Sequence, residues 1–85
     1  MRITDKVLNS FVDSLNEKTK NNLASWTRIE NSSKANIGNY HLNYYGGFVG
    51  LDQMTSEGGA VTVICSPCTN RELYYFMRGF LEGHK

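Results

Sequence analysis

Thr69 and Glu72 stand three residues apart, and behind them Leu73, Phe76, Met77, Phe80 and Leu81 recur at the spacing of one helical face. This is a capping box. The Thr69 hydroxyl accepts from the amide at position 72, and the Glu72 carboxylate reaches back to the amide of Thr69. Gly83 falls where a C-terminal cap belongs. Ahead of the helix, Val61-Thr62-Val63-Ile64-Cys65 is β-branched and alternating, which predicts a strand. Pro67 disfavours helix at Ser66 and breaks a ladder, so Cys65-Ser66-Pro67-Cys68 reads as the turn between them. A strand followed by a helix with one apolar stripe needs a sheet to bury that stripe, and this requirement shapes the rest of the chain.

At the other end, Thr4 can cap a first helix, with Asp5 placed against the positive end of its dipole. Val7, Leu8, Phe11, Val12 and Leu15 form its stripe. Lys6, Asn9, Asp13 and Asn16 fall outside it, and the pattern ends near Lys18. Leu23 to Ile29 is ambiguous, with Thr27 and Ile29 favouring a strand. Asn31 to Asn36 is polar and reads as a surface loop. Ile37 to Tyr45 is a strand with Tyr40, Leu42 and Tyr44 on one face and His41 and Asn43 on the other. Gly46-Gly47 marks a tight turn, and Phe48 to Met54 is the next strand, with Val49 and Leu51 on the first face. Ser56-Glu57-Gly58-Gly59 turns the chain into the Val61 strand.

The expected fold class is therefore α+β in a single domain spanning residues 1–85. It has an N-terminal helix, a three-stranded antiparallel meander extended to four strands if Trp26 to Ile29 joins it, and a C-terminal helix. Strands joined by short glycine turns pair antiparallel. Burying two helical stripes economically puts both helices on one face, the face of Tyr40, Leu42, Tyr44, Val49, Leu51, Val61 and Val63. The second face, with His41, Asn43, Phe48, Gly50, Asp52, Thr62 and Ile64, is left free.

Charge and hydropathy narrow the function. A net charge of +1, with both signs interspersed, gives no basic patch for nucleic acid or an anionic membrane. No apolar run approaches the roughly 20 residues that span a bilayer. The first residues lack the apolar core of a signal peptide. These readings lead us to expect a cytoplasmic protein with reduced cysteines.

Cys65-x-x-Cys68 is the sharpest chemical feature. In thioredoxin-like proteins the first cysteine of such a pair sits at a helix N-terminus and is activated there. Here only one helix follows, and Pro67 is the chain's single proline. A structural zinc site needs four ligands; His41 and His84 are the only histidines and lack paired spacing, so neither a metal nor a cofactor is expected. Gly47-Phe48-Val49-Gly50-Leu51 overlaps the tail of an RNA-recognition signature, without the second half of that fold. No Ser/His/Asp grouping, carboxylate pair or phosphate loop is marked out, so no catalytic residue is assigned and no enzyme is expected. Arg71, Tyr74, Tyr75 and Arg78 line the outer side of the last helix, a composition favoured at protein interfaces.

Tyr44-Tyr45-Gly46-Gly47-Phe48, the Gly58-Gly59 pair and the run Thr69 to Phe80 resemble small uncharacterised proteins of bacterial phages, prophages and mobile elements. The resemblance covers Tyr40 to Glu82. It implies a bacterial host cytosol and no catalysis, and it transfers no functional residue. The leading expectation is a small non-enzymatic protein-binding module that blocks a host defence or regulatory protein. It would bind through Tyr45, Phe48 and Ile64 on the free sheet face and Arg71, Tyr75 and Arg78 on the helix. The partner is a host protein or a second copy of the chain in a two-fold dimer. The alternatives are a dithiol redox protein using Cys65 and Cys68, and a weak nucleic-acid binder using the open sheet.

Overall fold

The computed structural model describes residues 3–83, in the order α1 (Asp5–Lys18), β1 (Trp26–Ile29), β2 (Ser32–Ala35), β3 (Tyr40–Tyr45), β4 (Phe48–Met54), β5 (Val61–Cys68) and α2 (Asn70–Glu82). The α+β class and the β3-β4-β5 antiparallel meander are as expected. Leu8, Val12 and Leu15 of α1 and Leu73 and Met77 of α2 share one core with Tyr40, Val49 and Leu51. Both helices therefore lie on one face of the meander.

Local chemistry sets most of the element ends. The Thr4 hydroxyl accepts from the Val7 amide at 3.4 Å at the start of α1. The helix ends in a Schellman motif. The Asn21 amide donates to the Asn16 carbonyl at 2.8 Å and the Lys20 amide to that of Glu17 at 3.2 Å. Lys20 occupies the left-handed position, at φ 60°, where glycine is usual. Gly46 and Gly47, at φ 54° and 88°, form the two-residue turn between β3 and β4 that their sequence predicts.

Four expectations are corrected. First, residues 32–35 are not loop. β2 pairs with β1 from Trp26–Ala35 to Ile29–Ser32, so the 26–29 strand belongs to a separate two-stranded hairpin and does not extend the meander. Its turn puts Glu30 at φ 50°, again without glycine. Second, Cys65-Ser66-Pro67-Cys68 is not a turn but the end of β5. Val49 pairs with Cys68 and Leu51 with Cys65, so β5 uses three residues where β4 uses two. Pro67 is accommodated because β5 is an edge strand and this stretch is bulged. The bulge presses on Gly50, where an added Cβ would lie 2.7 Å from the Cys65 carbonyl oxygen.

Third, β5 gains a further residue between Leu51–Cys65 and Asp52–Val63, at Ile64. Alternation changes phase there. Ile64 consequently packs against the core, while Val61 and Val63, expected inside, are exposed. Tyr44 is also largely exposed. Partial burial first, and then the nearby Asp5 carboxylate, push its hydroxyl above its usual range. Fourth, Asn16, expected on the solvent side of α1, is completely buried. Its Nδ2 donates to the Tyr40 carbonyl at 3.0 Å and its Oδ1 accepts from the Tyr40 amide at 2.8 Å, so it pairs with the edge of β3 as a strand residue would.

The hairpin is tied to the body largely by side-chain amides. Asn39 Nδ2 donates to the Asn22 carbonyl at 2.7 Å and its Oδ1 accepts from Ser25 at 2.9 Å. Asn36 bridges the Ala24 carbonyl and the Thr27 hydroxyl. The Ala35 amide donates to the Glu57 carbonyl at 2.9 Å, and the Trp26 ring lies against Gly59.

Candidate functional site

The six candidate binding residues separate into three places. Tyr45 and Phe48 face each other across the Gly46-Gly47 turn, on the sheet face that carries no helix. They are 74% and 50% exposed, and Val63, on the same face, is 58% exposed. Ile64 stands apart from them, on the core side of its bulge. Arg71, Tyr75 and Arg78 project from the outer side of α2, on the opposite side of the molecule, as the helical spacing predicts.

The α2 face has more structure than the sequence revealed. The capping box is complete. The Glu72 amide donates to the Thr69 hydroxyl at 3.2 Å, and Glu72 Oε1 accepts from the Thr69 amide at 3.1 Å and its hydroxyl at 2.9 Å. Those two bonds, the backbone one first, hold the Glu72 carboxyl below its usual range. From this fixed start, α2 runs beside α1. The Phe11 ring meets Tyr74 edge-on at 5.3 Å, Tyr74 meets Tyr75 at 5.4 Å, and the Arg78 guanidinium lies 5.7 Å above the Tyr74 ring. Between the helices is a groove of about 370 Å³ lined by Phe11, Lys18, Tyr75, Arg78, Gly79, Leu81 and Glu82. Phe11 and Leu81 give it an apolar part, and Lys18, Arg78 and Glu82 add two cations and one carboxylate. Phe11 and Lys18 were not singled out from sequence because they belong to α1. Only the pairing of the two helices brings them beside Tyr75.

Cys65 and Cys68 are both partly buried free thiols. Both pack on the core side of β5, and the Cys68 thiol donates to the Val49 carbonyl at 3.7 Å. Burial, then the adjacent Cys65 and the Glu72 carboxylate, push the Cys68 thiol up to about 11. Cys65 lies within the strand, not at the N-terminus of α2, so the helix end does not serve it as in the thioredoxin arrangement. Among the described residues, no three of His, Cys, Asp and Glu stand together as metal ligands would. His41 and Asp52 are cross-strand partners on the face away from the helices, and contrary to the sequence expectation that face is not open at this end: Asp52 is buried, and His41 Nδ1 is buried without a hydrogen-bond partner. His84 lies outside the described residues. Among them no helix is long and apolar enough to cross a membrane. No protein-family model, curated protein or solved structure matches the chain.

Proposed function

We propose that the chain is a small non-enzymatic protein-binding module whose contact surface is the α1–α2 groove and the adjoining face of α2. The observation that carries this reading is the cluster of Tyr75, Arg78 and Phe11 around a groove of mixed polar and apolar lining between two capped helices. Tyrosine and arginine are favoured at interface centres because each combines broad contact area with polar recognition. A rigid helix presents them at low entropic cost. The two cations Lys18 and Arg78 against the one carboxylate of Glu82 suit a partner that inserts an apolar side chain flanked by carboxylates. Joined to the resemblance to phage and mobile-element proteins, this makes the partner a defence or regulatory protein in the cytoplasm of a bacterial host.

The experiment is affinity capture from host lysate with the parent and with a Tyr75→Ala, Arg78→Glu double variant, both checked for fold by circular dichroism. The parent should retain a discrete partner that the folded double variant loses. Capture of the same proteins by both would overturn the reading.

The exposure of Tyr45, Phe48 and Val63 on the uncovered sheet face favours a second reading, in which that face meets a second copy of the chain across a two-fold axis. In that case the parent sediments as a dimer and Phe48→Asp as a folded monomer. A monomeric parent would remove this reading and leave the first untouched.

A further inference from the structure

We propose that Cys65 and Cys68 form a redox-active dithiol which closes to an intramolecular disulfide by exchange with glutathione disulfide, and that the fold itself favours the closed state. The proposal does not depend on the protein-binding reading.

The geometry comes from the bulge. In a regular strand, residues three apart point to opposite faces and cannot be bridged. Here the extra residue in β5 puts both cysteines on the core side, opposite Leu51 and Val49. Those two β4 positions are two residues apart, a rise of roughly 6.6–6.8 Å. That is at the upper edge of the Cα separation a disulfide spans, about 4.4–6.8 Å. Both side chains pack against the same core cluster, so the two thiols share one side of the strand. As hydrogen-bonding groups the thiols do little for the fold: Cys65 reaches the Ser66 carbonyl at 3.6 Å and Cys68 the Val49 carbonyl at 3.7 Å, both long.

The two thiols differ in role. Cys68 is partly buried and its thiol donates to the Val49 carbonyl; burial first and then the adjacent Cys65 keep it protonated near neutral pH. Cys65 is therefore the attacking group. It gives its proton to solvent, and the thiolate attacks one sulfur of glutathione disulfide. A bond forms between Cys65 and one glutathione, and the other leaves as a thiolate and takes up a proton. Cys68 then loses its proton and attacks the Cys65 sulfur, expelling the second glutathione, which is protonated in turn. The chain loses two electrons and two protons, and glutathione disulfide becomes two glutathione molecules. Exchange through such a mixed intermediate is the ordinary chemistry of thiols.

Any Cys-x-x-Cys chain can close to some extent, so the test must separate the fold from mere nearness in sequence. The purified chain is equilibrated across a series of glutathione and glutathione disulfide ratios, once folded and once in concentrated urea. Intact mass and free-thiol titration read the products. We expect both thiols to disappear together in a monomer lighter by two hydrogens, with an equilibrium constant several-fold larger in the folded chain than in urea. Linkage then requires the oxidised chain to melt above the reduced one. Cys68→Ser, with no resolving thiol, should instead accumulate a glutathione adduct on Cys65 and show no redox-dependent melting. The proposal is overturned if the folded parent accumulates the adduct or a covalent dimer, or if its equilibrium constant is no larger than in urea.

Discussion

Asn16 has the most exacting role of any single side chain. One amide group satisfies both the N–H and the C=O of Tyr40 where β3 begins, inside a site with no exposure. Truncation leaves two buried backbone groups unpaired, each worth about 1–3 kcal/mol. Asn16→Ala should therefore destabilise the chain by about 2–4 kcal/mol, a large share of a small domain's stability. Urea titration reads this directly, and a change below about 0.5 kcal/mol, the size of an ordinary surface effect, would contradict the assigned role. Sequence patterning could not find this residue. An asparagine beside an apolar stripe reads as solvent-facing, and the partner that makes burial favourable comes from 24 positions away. Phe48 and Tyr45 were legible because their placement depends only on a two-glycine turn and strand alternation. Ile64 was not, because the bulge at its own position in β5 reverses the alternation that would have placed it.

Among the elements, α2 was the most legible, since its start depends on two residues three apart. Thr69→Ala removes the acceptor for the Glu72 amide and should cost about 1 kcal/mol. The same box predicts a pH effect. The folded-state carboxyl of Glu72 is depressed, so its contribution is present above the usual carboxylate value near 4.5 and is lost as pH falls through the folded value. Acid should therefore weaken the parent more than Glu72→Gln in that window, a difference that melting curves at several pH values would measure. Parallel acid profiles would mean that the box contributes nothing. The hairpin and the end of β5 were illegible for the opposite reason. Lys20 and Glu30 take left-handed backbone conformations with no glycine to signal them, and Pro67, the strongest apparent breaker, sits in a bulged edge strand.

For the molecule as a whole, the class and the two-layer arrangement followed from counting stripes and strands. Which apolar side chains remain outside did not follow, because the phase change in β5 exchanges Ile64 for Val63. The candidate groove was half visible: its α2 wall is a sequence pattern, while its α1 wall exists only once the helices pack. The hairpin of β1 and β2 adds a different consequence. Every residue of β1 is exposed, and the hairpin meets the body mainly at its base, through the Asn39–Asn22 and Ala35–Glu57 bonds and the Trp26 ring against Gly59. Two-stranded ribbons have little stability of their own. The chain should therefore open in two cooperative steps of unequal free energy. Backbone amides from Trp26 to Ala35 should trade their hydrogens for deuterium through a local opening that denaturant scarcely accelerates, and those of β4 should wait for global unfolding.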